Sequence, residues 1–234
     1  MKKGKFIVID GTDGSGKATQ IDLLVARLKK AKLKVKKTDF PQYDINFFGR
    51  LIGEALHGKY GDFISIDPHI ASVLYAADRW EASAQIKKWL DAGVTIVANR
   101  YVSANQIHQG GKIHDEKERV DFLKWLDTME FKVFKIPRPD AVLYLDVPLE
   151  LTQKLLEERA ARLAKIGGQQ SKLDQAESNL KHLQESKESA LTVVQKDNKW
   201  FRIECAENNQ ILTREEIHEK VFFLVSKYIL KLKK

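Results

Sequence analysis

Seven residues near the start of the chain, Gly11-Thr12-Asp13-Gly14-Ser15-Gly16-Lys17, have the spacing GxxxxGK. Glycines at these intervals let a backbone wrap closely around oxygen atoms and present N–H donors with a helix N-terminus behind them. Lys17 adds a mobile positive charge. The chemistry is that of a polyphosphate cradle running from Gly11 through Thr12, Asp13, Gly14, Ser15, Gly16, Lys17 and Ala18 to Thr19. Ala18 stands where such loops usually carry the Ser or Thr whose hydroxyl holds Mg²⁺, and Thr19 lies about 100° further round a helix. Mg²⁺ is therefore expected to rely on Asp13 and on water, since this ion ordinarily retains several waters.

The elements that position the loop are legible on both sides of it. Lys5-Phe6-Ile7-Val8-Ile9-Asp10 is a short β-branched apolar run closed by Gly11, the pattern of a strand buried on both faces of a parallel sheet. Ile21, Leu24, Val25 and Leu28 then recur at helical spacing. Further strands are predicted at 94–98 and 141–145, separated by helical patterning around Ile70-Val73-Leu74 and Ile86-Trp89-Leu90. The fold class is α/β, a parallel sheet flanked by helices. Ligands in such sheets sit beyond the carboxyl ends of the strands, so residues after Asp10, near Asp39 and after Ala98 are expected to share one cleft. From 167 to 198 the composition turns polar, yet Leu173, Ala176, Leu180, Leu183, Ala190, Leu191 and Val194 keep a three-four spacing. This predicts an amphipathic helix over 171–195, with Ser171 as its cap.

The whole chain has 234 residues, 43% hydrophobic and 31% charged, with 13 glycines and 5 prolines, which excludes collagen, disulfide-scaffold and wholly disordered classes. One domain, or one domain with a large insertion, fits this length. The single thiol, Cys205, forms no internal disulfide and implies a reducing, cytoplasmic compartment. No apolar run approaches the roughly 18 residues of a membrane span, and MKKGKFIVIDGT reaches glycine and aspartate too early for a secretory leader, so a soluble, unprocessed protein is expected. Forty Lys and Arg against 32 Asp and Glu give +8, which suits nucleic acid, a membrane surface or a phosphorylated small molecule without choosing among them. Lysines crowd 29–37 and the last eight residues as solvated surface. The six histidines are scattered and read as structural.

A phosphate loop names a ligand class and no reaction. The rest of the chain, from 5 to about 160, resembles the thymidylate kinases through several separate motifs: Asp39-Phe40-Pro41-Gln42-Tyr43, Glu54-Ala55-Leu56-His57-Gly58, Leu74-Tyr75-Ala76-Ala77-Asp78-Arg79, Asn99-Arg100-Tyr101-Val102-Ser103-Ala104-Asn105 and Pro137-Arg138-Pro139-Asp140. The resemblance implies a single P-loop kinase domain over 1–234, with 150–198 as lid and helical insertion. It implies transfer of the γ-phosphoryl group of ATP to dTMP with Mg²⁺. Asp13, Lys17, Arg100 and Arg159 would act in catalysis. Asp13, Phe40, Pro41, Tyr43, Tyr75, Arg79, Arg100, Tyr101 and Asn105 would bind dTMP: Tyr75 as platform for the base, Arg79 at its carbonyl, Asn105 at its edge, Tyr101 beneath the deoxyribose and Arg100 on the phosphate. Taken singly, Tyr75 also reads as core, Arg79 as a partner of Asp78 and Asn105 as a cap.

Three positions depart from that family's pattern: Ala18, Asn99 in place of an aspartate, and Gln42 in place of an arginine. The phosphate loop has no arginine, so Arg159 and Arg162 in the lid are candidate transition-state cations, with ion pairs to Glu157 and Glu158 as the alternative. The family implies a homodimer, for which the apolar helical faces at 70–90 and 120–130, with Trp80 and Trp125, would serve as interface or else as core. Nucleic acid and membrane are not expected as partners. The rival readings are a kinase of another nucleoside monophosphate and a nucleotide-binding regulatory protein with an impaired metal site.

Overall fold

The computed structural model describes residues 3–166 and 179–232. Strand β1 (Phe6–Gly11) is buried at every position because both faces are covered. Phe6 and Val8 point into one apolar core, Ile7 and Ile9 into the other. After the phosphate loop, helix α1 (Lys17–Lys30) lays Ile21, Leu24, Val25 and Leu28 on the second core. Strand β2 (Val35–Asp39) follows, then α2 (Phe47–Leu56), whose first turn is capped by Asn46 accepting from the Gly49 N–H at 2.7 Å. Helix α3 (Pro68–Asp91) begins with Asp67 as cap and proline in its first turn, and leads to β3 (Thr95–Asn99). A short helix α4 (Val102–Ala104) widens into a π-helical turn, Asn105–Gln109, before α5 (Glu116–Thr128). Strand β4 (Ala141–Asp146), helices α6 (Leu149–Ile166) and α7 (Leu180–Lys196), strand β5 (Trp200–Glu204), a small hairpin of β6 (Ala206–Glu207) and β7 (Gln210–Ile211), and helix α8 (Arg214–Leu224) complete the order. A reciprocal capping box of Thr213 and Glu216 starts α8.

Five strands form one parallel sheet in the order β2-β3-β1-β4-β5. The chain leaves β1 for one side of the sheet and later returns to its other side, so β1 lies at the switch point where a crevice opens. Register puts Asn99 level with Ile9 and Asp39, and Leu145 level with Gly11, so the functional turns share one rim.

Strands β1, β3 and β4 lie where the sequence predicts them. β2 and β5 are edge strands, and Lys36 and Lys37 or Arg202 and Glu204 interrupt their apolar pattern, as charges commonly do on exposed edges. The polar stretch expected as an arm does form a helix over 180–196, but it begins on Asn179, which accepts from the His182 N–H at 3.1 Å. Ser171, Leu173 and Ala176 lie outside the described residues. The helix packs on the body: Ala190 and Val193 enter the core shared with Phe122 and Leu126, and Ser189 donates to the Gln106 carbonyl at 2.8 Å. At Gly111 a Cβ would stand 2.8 Å from the Glu185 backbone carbonyl, so only glycine admits α7 this closely. No helix among the described residues is long and apolar enough to cross a membrane.

Candidate active site

The phosphate loop closes on itself. Gly14 and Gly16 have φ of 82° and 84°, in the left-handed region that favours glycine, and α1 starts directly after Gly16 without a side-chain cap. Its first N–H groups therefore face the loop, where an anion satisfies them. Lys17 Nζ donates to the carbonyls of Gly11 and Thr12, both at 2.9 Å, and lies 3.6 Å from Asp13 Oδ1. The ammonium is thus buried over the loop. Ala18 is exposed and Thr19 half-buried.

Asp13 turns its carboxylate to Arg100, which stands at the end of β3 and donates to it through a guanidinium nitrogen. Burial pushes the Asp13 carboxyl up, but Arg100 and Lys17 outweigh it and hold the group well below the usual carboxylate range. Burial likewise opposes charge on Arg100, and Asp13 and Asp10 more than restore it, so the guanidinium stays charged. Arg100 has φ 61°, a conformation that non-glycine residues hold only under constraint, and its N–H donates to the Ile9 carbonyl at 3.1 Å. Asp10 beneath the loop accepts from Ser103 Oγ at 2.5 Å and from the Gly11 N–H at 2.8 Å.

Between this charged rim and helices α2 and α3 lies a cavity of about 560 Å³, open mouth included. Asp13, Phe40, Pro41, Tyr43, Tyr75, Arg79, Arg100, Tyr101 and Asn105 all line it. Tyr75 is half-buried and packs on Phe63 with ring centroids 6.0 Å apart. Tyr101 is fully buried against Phe6 and Phe40. Arg79 is buried too, and its partner is Glu130 on the turn after α5, not Asp78: Nε donates to Oε2 at 3.1 Å, a second nitrogen to Oε1, and a third to the Tyr101 carbonyl at 3.2 Å. Asp78 instead accepts from the Gln42 N–H. Asn105 ties α3 to the same carboxylate, donating to the Ser72 carbonyl at 3.2 Å and to Glu130 at 3.4 Å. Gln42 donates its amide to Thr38.

Helix α6 backs the loop: a Cβ on Gly14 would meet Leu156 at 3.1 Å and the Thr152 carbonyl at 3.3 Å. Arg159, one turn beyond Leu156, is exposed. The side chain of Arg162 lies outside the described residues. Asn99, level with Ile9, presents a buried Oδ1 without a hydrogen-bond partner among the described residues. No three His, Cys, Asp or Glu side chains among the described residues gather as metal ligands.

Five lining or supporting residues were not singled out from sequence: Ile64, Glu130, His108, Gln109 and His182. Glu130 carried at most a faint signal, as an acid between the apolar Met129 and Phe131. His108 and His182 carried none, because only the packing of α7 brings them together, rings stacked 5.4 Å apart.

Comparison with known proteins adds an independent observation. The family model described as thymidylate kinase matches residues 9–217. A thymidylate kinase of Mycobacterium tuberculosis is 30% identical over 157 residues, covering 67% of this chain and 72% of that protein. One of Plasmodium falciparum is 34% identical over 152 residues, covering 65% and 66%. Among solved structures, a thymidylate kinase of Candida albicans superimposes with a TM-score of 0.72 at 24% identity, covering 96% of this chain and 92% of that one, a likeness of fold.

Proposed function

Because the chain belongs to the thymidylate kinase family, we propose that it transfers the γ-phosphoryl group of ATP to the 5′-phosphate of dTMP, giving dTDP and ADP. The observation that carries the residue roles is a single cavity with the Arg100 guanidinium, ion-paired to Asp13, at its rim and an aromatic end at Phe40 and Tyr75. A nucleoside monophosphate has that polarity: its phosphate suits the rim and its base the aromatic end.

In this reading the loop N–H groups from Gly11 to Thr19 and Lys17 take the phosphates of ATP. Arg100 holds the acceptor phosphate through its planar fork, and Asp13 holds Arg100. Tyr75, Phe40 and Pro41 enclose the base, with Tyr43 at the mouth. Tyr101 underlies the sugar, Arg79, braced by Glu130, presents N–H groups to the base edge, and Asn105, its amide N–H groups already given to Ser72 and Glu130, presents its Oδ1. Phosphoryl transfer disperses negative charge over the moving group, so aligned cations do most of the work. Arg159 is the lid cation of this reading, supported by its place three residues from Leu156, which backs the loop. Closure of a lid carried by α6 would exclude water, so that dTMP and not solvent receives the group, while α7, packed into the core, stays with the body.

Mg²⁺ fits the oxygens present. The Asp13 carboxylate is a hard donor of the kind this ion takes, one or two from protein with the rest from water and phosphate, and it would hold the ion in place of a hydroxyl at position 18. Bound there, the ion would neutralise charge between the donor's phosphates. A homodimer is supported by the apolar residues left exposed on α2 and α3, among them Phe47, Val73 and Trp80. Trp125, by contrast, packs on the core. A cytoplasmic setting is supported by the lone, buried Cys205 thiol.

Incubation with γ-labelled ATP and a panel of nucleoside monophosphates is the test. Labelled dTDP formed fastest of all products is the expected result. No labelled dTDP, or faster labelling of another nucleotide, removes the assignment.

A further inference from the structure

Strand β4 ends at Asp146, and α6 leaves the sheet directly after it, through Val147 and Pro148. This exit lies beside the phosphate loop. Leu145 is level with Gly11, and a Cβ on Gly11 would stand 2.8 Å from the Leu145 carbonyl. The helix meets the loop again at Gly14, through the Thr152 carbonyl and Leu156. The direction in which α6 leaves β4 therefore sets how it lies over the loop.

Two cations from other elements hold that exit. Lys187 on α7 donates to the Val147 carbonyl at 2.7 Å and pairs with Asp146 Oδ1 at 2.9 Å, while Arg202 on β5 takes Asp146 Oδ2 at 2.6 and 2.7 Å. Asp146 and Val147 are 5% and 1% exposed, so salt and water screen these contacts less than a surface pair. Arg202 braces the end of the strand, whereas Lys187 alone of the two reaches the peptide beyond it. Its own helix is fixed to the body, by Ala190 and Val193 in the core and by Ser189 on the Gln106 carbonyl. We propose that Lys187 is a positioning residue for phosphoryl transfer: it fixes the pivot of α6, so that each closure brings the helix to the same place over the phosphates. The proposal rests on the kinase reading above, with α6 as its lid.

Leverage makes one contact at the pivot matter. Arg159 lies about 15 Å along α6 from Leu149 at 1.5 Å per residue, so a tilt of about 4° at the pivot displaces that turn by about 1 Å. A misplacement of this size, far from the chemistry, is enough to cost about 100-fold in rate. An ammonium suits the task, because it carries three donors on a flexible stem and keeps one on the carbonyl and another on the carboxylate. Were Lys187 only an anchor for α7, its loss would lower stability and leave the rate per folded molecule, and the fate of the transferred group, as they were.

The test compares the wild type, Lys187→Met and Lys187→Arg by kcat and KM for dTMP per folded molecule, and by the share of ATP lost to water. In Lys187→Met, kcat is expected to fall about tenfold or more while KM for dTMP stays within about twofold, since the groups lining the cavity are untouched. The share of ATP hydrolysed is expected to rise about threefold or more, because a displaced lid admits solvent. Lys187→Arg, which keeps the charge and the donors, is expected to recover both to within about threefold of the wild type. Unchanged kcat and hydrolysis in Lys187→Met overturn the proposal, as does a loss carried by KM alone or a Lys187→Arg no better than Lys187→Met. If Lys187→Met does not fold, Lys187→Gln, neutral and shorter, takes its place with the same outcomes. A wild type that forms no diphosphate from any nucleoside monophosphate sinks the kinase reading instead. Hydrogen exchange then decides the pivot alone: the amides of α6 should exchange about tenfold faster in Lys187→Met than in the wild type, and equal rates overturn it.

Discussion

Lys17 and Arg100 both lie against Asp13, yet they are held differently. Lys17 rests on two loop carbonyls, which a phosphate can displace it from, while Arg100 is fixed by an ion pair and a strained backbone. Replacing Lys17 by alanine should therefore depress kcat by about 100-fold or more with only a few-fold change in KM for dTMP, because its charge acts chiefly on the moving phosphoryl group. Steady-state kinetics at saturating dTMP checks this. Glu130 gives a contrasting case. It is fully buried, and burial pushes its carboxyl up against the pull of Arg79. Glu130→Ala would strand the Arg79 guanidinium in the interior, at a cost of about 3–5 kcal/mol in unfolding free energy, readable by urea denaturation. The loop was legible in the sequence because its spacing carries its chemistry, whereas Arg100 and Tyr75, which line the cavity, were reached only through the family resemblance. Glu130 was not, because a buried acid is recognised by its partner, and the partner is distant in the chain.

At the scale of elements, α7 joins the active-site wall to the core, and its histidine makes that joint sensitive to acid. Burial, reinforced by Lys112, lowers the His182 pKa from 6.5 to about 4. The unfolded chain takes up this proton near pH 6.5 and the folded chain only near pH 4. The stabilising contribution is therefore complete above about pH 6.5 and is lost as pH falls through that window, on the order of 3 kcal/mol in all. Thermal melts from pH 7 to pH 4 should show a shallower decline for His182→Phe than for the wild type, and parallel declines would contradict the account. Strands β1, β3 and β4 could be read from sequence because burial on both faces makes them apolar along most of their length. The role of α7 could not be, since Ser186 and Ser189 are polar residues in buried positions, and only the absent side chains of Gly110 and Gly111 explain how the helix fits.

For the molecule as a whole, the exposed apolar residues are not spread evenly. Ile70, Val73 and Trp80 recur on one side of α3, and Phe47 starts α2 beside them, where the Phe48 N–H meets Glu81 at 3.0 Å. Trp80→Glu should convert a dimer to monomers in sedimentation velocity while the fold, followed by circular dichroism, stays intact. A wild type already monomeric at micromolar concentration would exclude the α2–α3 dimer.

The uniform direction of the five strands divides the protein into a working end and an idle one. At the idle end the chain comes in past Lys3, paired with Asp91, and Lys5 is clamped to Asp140, with none of the cavity's lining residues nearby in the strand register. A surface linkage made through Lys3 should therefore leave turnover as it is in free solution, so the molecule can be anchored to a bead or an electrode by its back and keep its mouth facing the reagents.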